Sequence, residues 1–127
     1  MSTQTKATAI QKFRDALALH DAGQVVDARS IYHSLTSQLS NLAAFWHFYG
    51  LAQFQTGDLK CAAACFKRAL LLTPDDANCI NRFACIFLTE NRANDARHHL
   101  LHALAAVPVH PEAWKNLAEA ERLNDDP

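Results

Sequence analysis

The side chains with the greatest capacity for chemistry in this chain are its seven histidines and four cysteines. His98 and His102 are four residues apart, so on a helix they would share a face and could bind one metal ion. His99 lies between them, but no glutamate follows the first histidine as in a zinc-protease helix, and no other element supplies a clear third ligand. We therefore interpret the His98/His99/His102 cluster as a solvated polar face on the outside of a helix, with an adventitious metal site as the alternative.

The cysteines are Cys61, Cys65, Cys79 and Cys85, and none of them forms a Cys-x-x-Cys pair, which argues against a redox motif or a zinc knuckle. A disulfide between Cys61 and Cys65, four residues apart, would have poor geometry within a helix. We expect all four to be small buried residues in a reducing cytosol. Cys85 and His47 could face one groove as a thiol–imidazole pair, but the sequence offers neither a third orienting group nor an oxyanion site.

Composition and charge exclude several other functions. Three glycines supply no phosphate-binding loop, and no serine lies in a Gly-x-Ser-x-Gly motif. A net charge of -1 argues against a nucleic-acid binder, which needs a basic face. No apolar run reaches the roughly 18 residues of a membrane helix, and no secretion signal opens the chain. We expect a cytoplasmic protein that is not an enzyme, with no cofactor, no nucleic-acid partner and no membrane insertion.

The elements that position these residues follow from an internal repeat with a period of 34 residues. At this shift the glycines, the small residues, the large apolar residues and the prolines fall into register without an insertion. The columns in register are Gly23/Gly57/Asn91, Ala28/Ala62/Ala96, Tyr32/Phe66/Leu100, Ala16/Gly50/Ala84/Ala118, Trp46/Ile80/Trp114, Ala69/Ala103 and Pro74/Pro108.

Each column has a structural role in a helix–turn–helix unit. The glycine column accepts the left-handed conformation where a first helix ends, and asparagine is its usual substitute. The small column lets two helices approach closely, the large column fills the space beside it, and the prolines stop the second helix. With few β-branched residues and no period-two alternation, the chain is predicted to be all-α. The predicted helices are 9–22, 25–38, 43–56, 59–72, 77–90, 93–106 and about 111–123.

The spacing and residue choices resemble the tetratricopeptide repeat (TPR), most clearly in Trp46-His47-Phe48-Tyr49-Gly50, Gly57, Ala62, Phe66, Ala69 and Pro74. The resemblance implies a right-handed superhelix of three helix–turn–helix repeats and a C-terminal capping helix. Its predicted parts are a flexible tail over 1–8, repeats over 9–42, 43–76 and 77–110, and a cap with a short tail over 111–127. The polar outer side of the cap, with Lys115 and Glu119, predicts a chain that is complete at its C-terminus.

The resemblance also implies that the first helices of the repeats line a concave groove that holds a peptide or helix of a partner protein. An apolar set in the first two repeats would supply affinity, and a polar set in the third would fix the register of the partner. The alternative for Phe48 and Phe54 is ordinary core packing, since a stripe at helical spacing is core by default. The predicted groove residues are Phe13, Leu17, His47, Phe48, Leu51, Phe54, Asn78, Asn81, Arg82 and Cys85.

Two known TPR functions do not match these residues. The clamp with which co-chaperones bind the acidic tail of heat-shock chaperones has its five places occupied by Phe13, Leu17, Phe48, Asn78 and Arg82, of which only the last matches. The asparagine ladder of the protein O-glycosyltransferases also fails, because its column contains Arg14, Phe48, Arg82 and Asn116.

A narrower resemblance is to the small cytosolic chaperones of bacterial type III secretion that escort hydrophobic translocator proteins. It is carried by the three units, Ser40 in the proline column, and the stretches Phe45-Trp46-x-x-Tyr49-Gly50-x-x-Gln53 and Arg82-Phe83-Ala84-Cys85. This resemblance implies a client segment bound through apolar pockets, and dimerisation through the N-terminal region. The competing hypotheses are a structural protein that buries its apolar patch in a homodimer and a regulatory module that docks on an enzyme.

Overall fold

A computed structural model describes residues 2–125, which form seven α-helices and no strand. The predicted all-α class and the helix–turn–helix order are confirmed. The described helices also include no candidate for crossing a membrane, since none has both the required length and the required apolar composition. The helices are α1 (Thr3–Asp21), α2 (Val25–Ser34), α3 (Ala43–Gln55), α4 (Leu59–Leu72), α5 (Ala77–Thr89), α6 (Ala93–Ala106) and α7 (Pro111–Asp125).

The N-terminal helix starts six residues earlier than the sequence predicts. Ser2 caps it, since the Ser2 side chain accepts a hydrogen bond from the backbone N–H of Thr5 at 3.1 Å. The prediction of a flexible tail over 1–8 is therefore wrong from residue 3 onward, because a capped run without glycine or proline extends the helix whose Phe13 is buried. Met1, Asp126 and Pro127 lie outside the described residues.

The second helix ends at Ser34, four residues before the predicted end at residue 38. The hydroxyl groups of Ser34 and Thr36 donate to the carbonyl oxygens three residues earlier, which offers the backbone an alternative to continuing the helix. Leu35 and Leu39 in the following turns are only 1% and 3% exposed. Burial of these two leucines therefore anchors an irregular segment after α2. At the same place in the later repeats, the second helix continues and a proline follows it.

The turn between the paired helices is the same in all three repeats. Gly23, Gly57 and Asn91 have φ values of +86°, +90° and +59°, in the left-handed region. After each of them, the next backbone N–H donates to the carbonyl five residues earlier, at 2.9, 2.9 and 2.8 Å. This is the Schellman arrangement. The predicted glycine column, including its asparagine member, is confirmed.

The chain divides into two compact units, one up to Leu72 and the other from Thr73 onward. The first unit contains α1 to α4, and its fully buried side chains include Tyr32, Phe45 and Phe66. Gly50 is buried at the centre of α3, and a Cβ atom on it would lie 2.9 Å from two ring carbons of Phe66. The helices α3 and α4 approach so closely here that a larger residue would require the Phe66 ring to shift.

The second unit contains α5, α6 and α7 and has a less aromatic core. Ala84 and Leu100 occupy the columns of Gly50 and Phe66 and belong to one buried cluster with Ala96, Leu104, Ala113 and Ala120. Phe87, Leu88 and Leu117 pack against this cluster from partly buried positions. Compared with the pair Gly50 and Phe66, α5 has a larger residue (Ala84) and α6 has a smaller one (Leu100).

The Gly50–Phe66 contact predicts a strong coupling between the two positions. Gly50→Ala should lower the free energy of unfolding by about 1 kcal/mol, since overpacking costs about 1–3 kcal/mol and the gain in helix propensity returns about 1 kcal/mol. In a Phe66→Leu background the same change should be neutral or stabilising, because the pair then resembles Ala84 and Leu100. Urea unfolding of the four variants, followed by circular dichroism, measures the coupling. Additive effects would show that the close contact does not limit residue size.

Candidate functional site

The first unit presents an apolar surface along α1 and α3. Leu17, His47, Phe48 and Leu51 are each partly exposed. The ring of Phe48 stacks on His47 at 5.3 Å between centroids and lies 6.4 Å from the ring of His20 on α1. Leu17 and Leu51 share helix faces with His20 and Phe48 because they are three residues away from them. We call Leu17, His20, His47, Phe48 and Leu51 the α1–α3 face. Phe54, three residues after Leu51, is also partly exposed.

Phe13 does not belong to the exposed part of this surface. It is 6% exposed, and its ring lies 6.0 Å from Tyr32 and 5.9 Å from Phe45. The expectation that Phe13 contacts a partner in the groove is therefore wrong. Its ring fills the space among α1, α2 and α3, and its edge supports Phe48 at 6.5 Å.

A hydrogen-bond chain holds the α1–α3 face in place. Nε2 of His20 donates to Oε1 of Gln55 at 2.6 Å, and Nδ1 accepts from the hydroxyl of Tyr32 at 2.9 Å. Burial raises the pKa of Tyr32 to about 12, so its hydroxyl remains a donor at neutral pH. The chain joins α1, α2 and α3, and it orients the His20 ring against Phe48.

The second unit uses most of its predicted polar site residues for its own structure. Asn81 is 3% exposed, and its Oδ1 accepts from Nδ2 of Asn116 at 2.9 Å. Oδ1 of the exposed Asn78 pairs with Nε2 of His110 at 2.8 Å. The expectation that Asn81 bonds a partner is wrong, because its amide ties α5 to α7. His110 and Asn116 are absent from the predicted site, since they lie 32 and 35 residues from their partners and no local pattern marks the pairing.

Arg82 and Cys85 remain on the partly exposed side of α5. Within residues 2–125, no hydrogen bond or ion pair engages the Arg82 guanidinium. The sulfur of Cys85 accepts from Nδ2 of Asn116 at 3.4 Å, and burial raises the pKa of this thiol. Cys85 is therefore protonated at neutral pH, which argues against a nucleophilic role with His47.

The histidine cluster on α6 is only partly a solvated face. His98 and His102 are exposed as expected, and Nε2 of His102 lies 3.1 Å from the Asp75 carboxylate. His99 departs from the expectation because it is half-buried and stacks on Phe87 at 5.2 Å. Burial lowers the pKa of His99, so this imidazole stays neutral at pH 7. Among the described residues, no three or more His, Cys, Asp or Glu side chains are placed so that they could hold a metal ion.

The remaining cysteines differ in exposure. Cys65 and Cys79 are buried as expected, and burial raises the pKa of each thiol to about 12. Cys61 is exposed, so the expectation of burial is wrong for it. A hydrogen bond with the Asp58 side chain raises the pKa of the Cys61 thiol. A cation lies near each of these thiols, but the stronger effects of burial or of Asp58 raise the pKa, which argues against a reactive thiolate.

No family model and no curated protein sequence matches this chain. Solved structures do match. MamA is 14% identical with a TM-score of 0.87, over 92% of this chain and 64% of the MamA chain. The first TPR of Spaghetti (RPAP3), bound to an HSP90 peptide, is 14% identical with a TM-score of 0.87, over 93% of this chain and 94% of that one. The chain has a tetratricopeptide-repeat fold.

A third TPR-like match is the Yersinia enterocolitica type III secretion chaperone SycD in complex with a peptide of the translocator YopD. It is 16% identical with a TM-score of 0.82, over 93% of each chain. In TPR terms, α1, α3 and α5 are the first helices of three repeats, and α7 is a first helix that follows them. The α1–α3 face and Arg82 thus both lie on first helices.

The effect of Asp58 on the pKa of Cys61 predicts that the reactivity of the Cys61 thiol depends on this carboxylate and on pH. Asp58→Asn should make Cys61 react several-fold faster with a thiol reagent near pH 8, since losing the carboxylate lowers the pKa of Cys61 and raises the thiolate fraction. The difference should vanish at high pH, where both thiols are ionised. Mass spectrometry of the Cys61 peptide measures the rate. Asparagine keeps the cap on the N–H of Cys61, so equal rates at every pH would contradict the role of Asp58.

The Asn81–Asn116 pair predicts non-additive stability. Asn116→Ala should lower the free energy of unfolding by about 1–3 kcal/mol, because it leaves the buried Asn81 oxygen without its donor. In the Asn116→Ala background, Asn81→Ala should lower the free energy of unfolding by less than it does in the wild-type chain. The reason is that it removes the oxygen that Asn116→Ala has left without a donor. Asn94→Ala on the exposed side of α6 is the matched control, with an effect within about 0.5 kcal/mol. Urea unfolding of these variants checks the expectation, and additive losses would contradict the pairing.

Proposed function

We propose that this chain is a non-catalytic protein-interaction module that binds an apolar peptide or amphipathic helix of a partner protein. The observation that carries the proposal is the α1–α3 face, where the partly exposed Phe48 ring packs against His20 and His47 and is flanked by two leucines. Apolar surface of this kind on a rigid helical scaffold is typical of an interaction site. Full burial of a side chain such as Phe48 or Leu51 contributes about 1.5–3 kcal/mol before entropic costs.

Arg82 is a candidate polar contact within the second unit. Since no internal acceptor or carboxylate engages its guanidinium among the described residues, Arg82 can bind a backbone carbonyl or an acidic side chain of the partner. Asn78 and Asn81 contribute less to partner binding than the sequence suggests, because their side-chain oxygens already accept hydrogen bonds within the chain. The proposed apolar site is therefore the α1–α3 face of the first unit, and Arg82 is a separate cationic group of the second unit.

Similar proteins support a peptide ligand. The SycD structure contains a translocator peptide and the RPAP3 structure an HSP90 peptide. The acidic HSP90 tail is not the ligand that we propose here, because three of the five clamp places in this chain hold the apolar residues Phe13, Leu17 and Phe48. The better parallel is SycD, because the resemblance to the translocator chaperones implies an apolar client segment, which would match the α1–α3 face. We therefore propose a small cytoplasmic chaperone or adaptor, of the kind found in bacterial secretion systems.

The proposal predicts that two charges on the α1–α3 face abolish client binding. A Phe48→Glu/Leu51→Glu variant should lose one specific protein that the wild-type chain captures from a lysate of the native host. The physical reason is that burying an unpaired carboxylate in an apolar contact is costly. Capture followed by mass spectrometry identifies the client. Calorimetry with overlapping peptides of that client then measures the loss of affinity, expected to exceed about a hundredfold for two anchor residues.

Val26→Glu/Leu71→Glu is the matched control. It places the same two charges on exposed apolar residues of the second helices α2 and α4, and it should bind the client as the wild-type chain does. All forms are first compared for helicity and mass. Equal capture by both variants would overturn the α1–α3 face as the site. A dimer that the Phe48/Leu51 variant splits, without any captured client, would instead assign this face to self-association.

A further inference from the structure

A pocket in the first unit contains polar groups that the fold itself does not use. It lies among α3, α4 and the segment that follows α2, and its volume is about 410 Å³. Ligand sites typically have volumes of about 300–1,000 Å³. Trp46 and Gln53 line the pocket from one face of α3, since they are seven residues apart. Phe48 and Leu51 of the α1–α3 face lie on roughly the opposite side of the same helix.

Gln53 is a polar residue in a repeat column that is otherwise apolar. Leu19 and Phe87 occupy the same place 34 residues before and after it. Gln53 is nevertheless only 6% exposed. Its Nε2 donates only to the sulfur of Cys65, a weak acceptor, at 3.9 Å, and its Oε1 accepts no hydrogen bond from residues 2–125. A buried amide with so little internal bonding requires a partner from outside the fold.

The third repeat shows that the repeat architecture does not require an amide at this place. Phe87 and His99 occupy the columns of Gln53 and Cys65 there, and their rings stack at 5.2 Å between centroids. Two stacked rings thus take the places that an amide and a thiol have in the second repeat. The open space beside Gln53 therefore comes from the side chains of this repeat.

The cationic group of the pocket is Arg68 on α4. Its guanidinium lies over the indole of Trp46, 4.7 Å from the ring centre. Within the described residues, no hydrogen bond or ion pair engages this guanidinium, and none engages the hydroxyl of Ser37 at the pocket wall. No acidic side chain of the described chain lines the pocket. A guanidinium that is held on a ring and lacks a carboxylate favours an anionic ligand, above all a planar carboxylate.

The amide of Gln53 restricts the kind of anion that fits. It offers a donor and an acceptor side by side, so it can pair with both the C=O and the N–H of a peptide group. Phosphate at neutral pH offers mainly acceptors, and it would leave Oε1 of Gln53 without a donor. The pocket therefore matches a carboxylate that has a peptide group next to it.

We propose that Gln53, Arg68 and Ser37 form a binding site for a peptide carboxylate. The Arg68 guanidinium binds the carboxylate, Gln53 pairs with the adjoining peptide group, and the Ser37 hydroxyl donates to an oxygen of the ligand. The carboxylate belongs either to the C-terminus of a polypeptide or to an aspartate or glutamate within one. This site is separate from the α1–α3 face and does not depend on the client proposed for that face.

The test uses the full chain and acetylated tripeptides. The probes are Gly-Ala-Ala with a free terminal carboxylate, the same peptide with a terminal amide, and Gly-Glu-Ala with a terminal amide. NMR follows the side-chain amide of Gln53 and the indole N–H of Trp46, with Trp114 of the second unit as the internal control. We expect saturable shifts with a charged peptide and at least about tenfold weaker binding of the neutral one, because hydrogen bonds between charged groups are the stronger ones. The tighter of the two charged peptides identifies the source of the carboxylate.

Gln53→Leu separates a ligand-binding role from a structural one. Leucine is the residue of this column in the first repeat, at Leu19. The variant should unfold at the same or a higher urea concentration, because it removes a poorly bonded buried amide, whereas its affinity for the charged peptide should fall at least about tenfold. Arg68→Gln should remove the preference for charged peptides. The matched control is Lys67→Gln, which removes the neighbouring exposed cation of α4 and should keep that preference.

The comparison of acid with amide is made in the wild-type chain, so it does not depend on the folding of any variant. No saturable shift of Gln53 and Trp46 at millimolar peptide would overturn the proposal, as would equal affinity for the charged and neutral peptides. Undiminished binding by Gln53→Leu, or inorganic phosphate that competes as well as the free acid, would also overturn it. The Phe48→Glu/Leu51→Glu variant should bind the charged peptide as the wild-type chain does, which keeps a failure of this site distinct from a failure of the client site.

Discussion

Every helix pair in this protein depends on a small residue at the centre of its first helix. Gly50 lets α3 and α4 approach until a single added carbon atom would meet the Phe66 ring. Ala84 and Leu100 satisfy the same requirement in α5 and α6, and Ala16 and Tyr32 are both fully buried in the first pair. The small column thus holds glycine or alanine and the large column holds tyrosine, phenylalanine or leucine, so the core changes its composition between repeats while each first helix keeps a small residue at its centre.

The repeat and its turns could be predicted from the sequence because each depends on one residue whose property acts locally. A left-handed turn needs Gly23, Gly57 or Asn91 wherever the surrounding chain lies. The state of Phe13 and Asn81 could not be predicted in this way. Their burial depends on Tyr32 and Phe45 in one case and on Asn116 in the other, all supplied by other helices. The early end of α2 has no such local signal, because buried leucines rather than a proline anchor that turn.

The two units have different surface chemistry on the same scaffold. In the first unit, histidines orient aromatic rings, and the polar groups of His20, Tyr32 and Gln55 satisfy each other. In the second unit, the amides of Asn81 and Asn116 join α5 to α7, and His110 pairs with Asn78. Because these polar groups already bond to one another, their side chains are ordered in the free protein. Binding a ligand therefore loses less side-chain conformational entropy.

The two tryptophans also provide an intrinsic fluorescence probe in each unit. One is buried under a guanidinium in the first unit, and the other is half in water in the second. Indole emission shifts to longer wavelength as its surroundings become more polar, so the two residues emit at different wavelengths from the same folded chain. An unfolding experiment read at both edges of the emission band would therefore follow the two units separately without any label. It would reveal whether they melt together or in succession, which is the property that distinguishes a repeat array from a single cooperative domain.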